Sequence, residues 1–554
     1  MNKSAISLTM IVSNLQDLGL ISIATNLLLA LLSGLLLSLV FLDHGFYYLA
    51  WFGFIPLLLA IEKTNFIHSY ILGFVAGLTL FFTASYWVVD FITLSKDYGV
   101  HSGFLIAGLH WVYSAHAIAL PILLFKWLNQ HSRCHEFFLF PITMVFFFSV
   151  FPMLFPMRLG DTQVHFHMAL QAIEYVGVNG LDFIIALFNV LVFRVLVNTI
   201  SFRSGSIKVP RLPFILSISL IGLWFVFGAT AYSSWQTKVA TWDTVKVGLI
   251  QVNEVPKLGT RVHYSGYSDA YPPEMEMTER LSSIGADLII WPEAQRKRYL
   301  DDSSIQRAYQ QRMKALNTGL LFQDTQHTHD PINGDIMNKY NTAIMINESG
   351  QQADTYQKIK RIPFGEYIPI LEKDSQLSNW VESLFGEFNS GLSPGSQHKA
   401  FEYQNINAIP LICYETTFSE FVAEAVQQTL TQRNLDVGTL LVGVSNDGWF
   451  GSTHLPYQHV MPAVLRAVEN RLPFVHLANN GPSIIATPDG HVIFTSEFQQ
   501  SAGYLIDVPN SHLEQGSFYS RNPWLFNNIV ILLFVITFIY SMIQFLLSWD
   551  VKPK

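Results

Sequence analysis

Of 554 residues, 50% are apolar, 14% are aromatic and only 13% are charged, with a net charge of −8. Soluble domains carry about 25% charged residues, so this chain leans toward lipid. The modest acidic balance and the lack of a basic stripe exclude a nucleic-acid partner as the organising theme.

The bias is uneven along the chain. "LGLISIATNLLLALLSGLLLSLVFL" (18–42) runs for 25 residues without a charge. A spanning helix needs about 20 apolar residues and a signal-peptide core only about 7–15, so this segment reads as an anchor. Further apolar segments follow at 46–61, 66–89, 100–125, 137–155, 168–193 and 212–230. Residues 240–515 turn polar and mixed, and "WLFNNIVILLFVITFIYSMIQFLLSW" (524–549) is apolar again. Eight transmembrane helices around one extramembrane domain are expected. The division is a membrane domain over 1–236, an extramembrane domain over 237–515, and a final helix and tail over 516–554.

Short loops set orientation. Lys3, Lys63, Lys126, Arg133, Arg194, Arg203, Lys208, Arg211, Lys552 and Lys554 fall on one side of the expected spans, and only Lys96 and Arg158 on the other. The basic side is expected to be cytoplasmic, with both termini inside and the extramembrane domain outside, in the periplasm of a Gram-negative cell. Cys134 then lies in a cytoplasmic loop. Cys413 is the sole cysteine of the exported domain and has no partner within the molecule.

Within the extramembrane domain, "VKVGLIQVN" (245–253) reads as a first buried strand. Three similar runs end on reactive side chains: "ADLIIWPEA" at Glu293, "AIPLICYE" at Cys413, and "TLLVGVSNDGWFG" at the Asn446-Asp447-Gly448 turn. Lys358 in "TYQKIKRIPFGEYIP" follows a strand expected at 341–347. Helical patterns lie at "TFSEFVAEAVQQTL" and "YQHVMPAVLRAVEN", so a sheet covered by helices is expected, with sites at the carboxyl ends of its strands.

Glu, Lys and Cys together suit acyl transfer through a thioester. A thiol with pKa near 8.5 needs help to attack at neutral pH. An ammonium favours the thiolate and the oxyanion, and a carboxylate accepts and returns the proton. None of this requires a metal or cofactor. Taken singly, Glu293 and Lys358 could each be a solvated charge, and Lys360 rivals Lys358 by proximity. Glu366 and Glu415 are further carboxylates beside the candidate site, able to hold the lysine or cap a helix.

In order along the chain, "IIWPE", "YNTAIMI", "YQKIKRIPFGEYIP", "LICYE", "VSNDGWFG" and "RAVENRLPFVHLANNG" resemble the carbon–nitrogen hydrolase (nitrilase) superfamily, and within it the membrane-embedded apolipoprotein N-acyltransferase family. "GFVAGLTLFFTASYWVV" and "GDTQ…IEYVGVNGLDFIIALFNVL" extend the resemblance over nearly the whole chain. It implies a multi-span helical membrane protein carrying an αββα sandwich. It also implies Glu293 as general base, Lys358 rather than Lys360 as the catalytic lysine, Cys413 as nucleophile, and Glu366 and Glu415 as supporting carboxylates. The implied partners are a phospholipid acyl donor, a diacylglyceryl-apolipoprotein acceptor and the membrane, with no cofactor.

Two stretches depart from the family pattern. After "WPE" come Arg296, Lys297 and Arg298, either a solvated loop or a contact to phospholipid phosphate at the interface, where each basic residue contributes roughly 1 kcal/mol. "PMRLGDTQ" carries Pro and Met where relatives often have aromatic residues. "HFH" at 165–167 and the His454/His459 pair lack an acidic cluster and the i,i+4 spacing of a helix-borne metal site, so no metal is expected. The expected activity is ping-pong N-acylation of lipoproteins. The rivals are a membrane-anchored amidase of the same superfamily and a non-catalytic lipoprotein-binding relative.

Overall fold

The computed structural model describes residues 20–95, 98–201, 210–254, 264–294, 296–367, 369, 391–434, 436–510 and 516–550. Of the residues used for orientation, Lys3, Lys96, Arg203, Lys208, Lys552 and Lys554 lie outside that set.

Seven described segments are long and apolar enough to cross a membrane: Ser22–Leu42, His44–Ile61, Phe66–Ala84, Val100–His131, Ile173–Thr199, Arg211–Val239 and Leu525–Leu547. The fifth expected span, 137–155, is a shorter helix, Glu136–Val150. Pro152 biases Phe151 toward extended backbone, and Phe151 at φ −72°, ψ 122° ends the helix there. At about 1.5 Å per residue this helix falls short of a hydrocarbon core of about 30 Å. The third expected span, 66–89, stops at Ala84, where the Ser85 hydroxyl turns back onto the Phe81 carbonyl at 2.6 Å. A separate short helix, Trp87–Ser95, follows.

Among its described residues, the extramembrane domain holds twelve strands in two six-stranded sheets. The first sheet contains β1 (Thr244–Gln251), β2 (Leu288–Ile290), β3 (Gly319–His329), β4 (Ile336–Ile346), β5 (Gln352–Gln357) and β12 (Ala502–Pro509), in the order β12-β1-β2-β3-β4-β5. The second contains β6 (Phe401–Tyr403), β7 (Ile406–Ile412), β8 (Gly438–Ser445), β9 (Phe474–Ala478), β10 (Ile484–Ala486) and β11 (Val492–Thr495), in the order β11-β10-β9-β8-β7-β6. In each sheet three neighbouring strands are parallel, β1-β2-β3 in one and β7-β8-β9 in the other. Parallel strands are buried on both faces, which explains their unbroken apolar runs.

Alternation sorts those runs into layers. Val247, Leu249, Leu288 and Ile290 meet Ala408, Ile412, Val442 and Val444 between the sheets. On the outer face of the first sheet, Ile250, Ile289 and Phe322 pack on Met275, Tyr309 and Met313 of the helices Pro273–Ser283 and Ser303–Leu316. On the outer face of the second, Ile409 and Leu411 pack in one core with Val422, Val464 and Val468 of the helices Ser419–Gln428 and Pro462–Asn470. That core continues into Leu170, Val178 and Leu181 of the membrane domain.

Buried polar contacts fix this junction. Arg471 Nε donates to Glu174 at 2.7 Å, and its Nη1 donates to Gln171 Oε1 at 2.9 Å. The Val178 amide donates to Glu469 Oε1 at 2.9 Å. Gly177 sits at φ +65° inside the membrane helix Ile173–Ser201, and a Cβ there would lie 2.5 Å from the Tyr519 ring. Only glycine gives both that backbone and that approach.

Candidate active site

Glu293, Lys358 and Cys413 come from three different strand ends. Glu293 follows β2, Lys358 follows β5, and Cys413 follows β7. The first two belong to one sheet and the third to the other, so the site straddles the seam between the sheets. Cys413 has φ +52°, a left-handed conformation that a non-glycine residue adopts at a cost. It opens a tight 3-10 turn, Cys413–Thr417, directly off the buried strand.

The two supporting carboxylates hold this arrangement. Glu366 accepts from Lys358 Nζ at 2.7 Å and from the Ile362 amide at 2.8 Å. Fully buried Glu415 accepts from the Ile412 amide (2.8 Å), the Ile359 amide (2.7 Å), the Lys360 amide (3.0 Å) and the Tyr356 hydroxyl (2.8 Å). One carboxylate thus ties the cysteine turn to the lysine loop. Burial pushes the Glu415 carboxyl up to about 7, against the pull of these donors.

Lys358 is 1% exposed and Cys413 7% exposed, so their charges act with little screening. Burial opposes the Lys358 ammonium, but Glu366, Cys413 and Glu293 together hold it well above its ordinary value. Burial and then Glu293 push the Cys413 thiol up, and Lys358 pulls it back. Burial raises the Glu293 carboxyl, Lys358 lowers it and Glu366 raises it further. The resting site therefore favours a neutral thiol beside an ammonium and a carboxylate of raised proton affinity, an arrangement suited to moving one proton off sulfur as an oxyanion forms.

Lys360 is placed apart. Its side chain is exposed, with Nζ 4.8 Å from the centre of the Phe418 ring. The basic run after Glu293 separates too. Lys297 is 4% exposed and its Nζ donates to buried Glu274, so headgroup contact is corrected for this residue. Arg296 pairs with Asp301, and Arg298 pairs with Asp269 at 3.2 Å and Asp302 at 3.4 Å.

Several participants lie beyond the residues marked by sequence. Asn341 Nδ2 donates to Glu293 Oε1 at 2.6 Å, and the Asn341 carbonyl accepts from the Lys358 amide at 2.8 Å. A polar residue entering the apolar half of β4 was the available signal. His459 meets Asp447 and His476 rather than His454, because its neighbours come from the end of β8 and the middle of β9 and not from its own stretch of chain. Tyr414 donates its hydroxyl to the Leu154 carbonyl and packs edge-on against Phe155, with ring centres 5.8 Å apart. The residue after the cysteine is thereby joined to the membrane domain.

Residues 33–191 match the family model described as the apolipoprotein N-acyltransferase N-terminal domain, and residues 274–507 match carbon–nitrogen hydrolase. An apolipoprotein N-acyltransferase of Geobacter metallireducens is 29% identical over 518 residues, covering 89% of this chain and 91% of the relative. One from Rickettsia typhi is 24% identical, covering 84% of this chain and 88% of the relative. Among solved structures, an amidase from Nesterenkonia sp. covers 51% of this chain and 96% of its own at 16% identity, with a TM-score of 0.34. Both domain matches in that order on one chain, and relatives of one name along most of its length, establish that the chain belongs to the apolipoprotein N-acyltransferase family.

Proposed function

We propose that this chain N-acylates lipoproteins in a bacterial inner membrane, taking the acyl chain from a phospholipid through a Cys413 thioester. The observation that carries this reading is the bond from Tyr414 to Leu154, which sets the nucleophile's turn against a membrane-domain loop. A small soluble amide makes no demand for that placement; an acyl chain retained in the bilayer does.

In the first half-reaction Glu293 takes the Cys413 proton and Sγ adds to the ester carbonyl. Lys358 faces the developing oxyanion. The carbon–oxygen bond then breaks, and the leaving alkoxide recovers the proton from Glu293, releasing a lysophospholipid. In the second, the α-amino group of an S-diacylglyceryl-cysteine gives a proton to Glu293 and attacks the thioester. Carbon–sulfur cleavage returns the thiolate, which regains that proton. Glu366 and Glu415 position the lysine and the cysteine turn. The catalytic domain is periplasmic and both termini are cytoplasmic in this reading, as the loop charges favour.

The test is the intact mass of the full-length protein after incubation with phospholipid and no acceptor, beside Cys413→Ala. An acyl adduct on the wild type alone, released by hydroxylamine and by a diacylglyceryl peptide, is the expected result. An adduct that persists in Cys413→Ala, or none in folded wild type, overturns the thioester route.

A further inference from the structure

Behind the nucleophile lies a buried charge pair that the reaction above does not use. Asp447, just past β8, is fully buried. His459 stands in the short helix Leu455–Val460. Its Nδ1 faces Asp447 Oδ1 at 2.8 Å, and the Ser445 hydroxyl donates to the same oxygen at 2.8 Å. The backbone carbonyl of Cys413, which accepts from the Thr416 hydroxyl at 3.0 Å, also favours a proton on the His459 ring. A buried carboxylate at hydrogen-bond distance favours the doubly protonated imidazole, which is a cation.

We propose that Asp447 and His459 form a buried ion pair in which the imidazolium cancels the Asp447 charge next to the forming thiolate. Both are positioning residues. An uncompensated carboxylate at Asp447 opposes ionisation of Cys413, adding to burial and Glu293. Burial alone would lower the His459 imidazole, but Asp447 and the Cys413 carbonyl raise it, while Lys358 works against them. The remaining titratable neighbour is His476 of β9, whose ring lies 5.6 Å from that of His459 at 89°. Burial lowers His476 to about 3, so it stays neutral and leaves the cation on His459.

This inference rests on Cys413 as the nucleophile and not on the identity of the acyl donor, so the test uses a donor-independent probe. Cys134 is exposed, and the background is therefore Cys134→Ser. In full-length protein, the rate of Cys413 alkylation by iodoacetamide is followed against pH in this background, in His459→Gln, and in Asp447→Asn/His459→Gln. His459→Gln leaves the carboxylate uncompensated, so Cys413 ionises about one pH unit higher and alkylates about tenfold more slowly near neutral pH. The double variant removes that carboxylate and recovers most of the loss. A double variant as slow as the single, or slower, overturns the proposal, because a purely structural pair gives accumulating damage. If His459→Gln fails to fold while the double variant folds, the uncompensated buried charge is confirmed by stability; if both fail, the pair is structural and the proposal falls. The donor atoms of Asp447, His459 and His476 also lie within 4.8 Å of one another, so stoichiometric zinc retained by the purified protein overturns it as well.

Discussion

Two buried lysine–glutamate pairs stand a few residues beyond strand ends of the same sheet. Lys297 reaches Glu274 after β2, and Lys358 reaches Glu366 after β5. In both pairs the lysine is at most 4% exposed. What separates them is the third group. Lys358 also acts on Glu293 and Cys413, whereas Lys297 is surrounded by Glu274, Glu254 and Asp324, with Trp291 stacked 6.0 Å away. Burial and pairing alone mark a lysine as costly to remove. A cysteine within the same field singles out Lys358 as the candidate catalytic lysine.

The sharpest way to break that distinction is Lys358→Met against Lys297→Met. Lys358→Met should slow thioester formation about 10²- to 10³-fold, the usual loss for an oxyanion-stabilising donor. Single-turnover adduct formation followed by mass measures this. A loss no larger than in Lys297→Met would erase the contrast.

The pH dependence tests the carboxylate of the same site. In the proposed route Glu293 must be ionised to accept the thiol proton, and burial with Glu366 raises its carboxyl against the pull of Lys358. A raised value means the carboxylate is lost at a higher pH than usual as acid is added. The acid limb of adduct formation should therefore lie above the ordinary glutamate value of about 4.3. Glu293→Gln should be slower by about 10²- to 10⁴-fold across the range and show no such limb. A wild-type limb that persists unchanged in Glu293→Gln would assign the proton to another group.

For Lys297→Met the expected effect is on stability. Breaking a buried pair by removing one partner costs about 3–5 kcal/mol, since Glu274 keeps its charge with no cation beside it. Urea unfolding of the detergent-solubilised protein reads this loss. The folded fraction should still form the adduct at close to the wild-type rate.

How much of this was legible follows from where the partners sit. Glu293, Lys358 and Cys413 stand just beyond apolar runs, and a strand end is a local pattern, so sequence alone brings them forward. Choosing Lys358 over Lys360 took a family resemblance, because spacing gives both equal access. The structure puts one inside and leaves the other on the surface. Lys297 was illegible for the opposite reason. Three consecutive cations read as a solvated run, and the carboxylate that draws one inward lies 23 residues upstream, across a helix-to-sheet contact. His459 reads in sequence as a pair with His454, five residues away, while its partner Asp447 crosses from the end of β8. The sheet-and-helix layering followed from periodicity. The early ends at Ala84 and Val150 depended on a serine turning onto its own helix and on Pro152, single residues inside otherwise continuous apolar runs.

The smallest effect belongs to the flanking arginines, and it bears on the comparison because it isolates exposure from charge. Arg296 and Arg298 have side chains 44% and 46% exposed, and both already face aspartates. Exposed pairs contribute about 0.2–1 kcal/mol each, so Arg296→Gln with Arg298→Gln should cost under about 2 kcal/mol in the same urea experiment. If either arginine also holds a lipid phosphate, the double substitution raises the apparent KM for an anionic phospholipid more than for a zwitterionic one, with kcat unchanged. Equal KM values for the two lipids would restrict this run of three cations to holding the loop, with Lys297 contributing nearly all of its stability from inside.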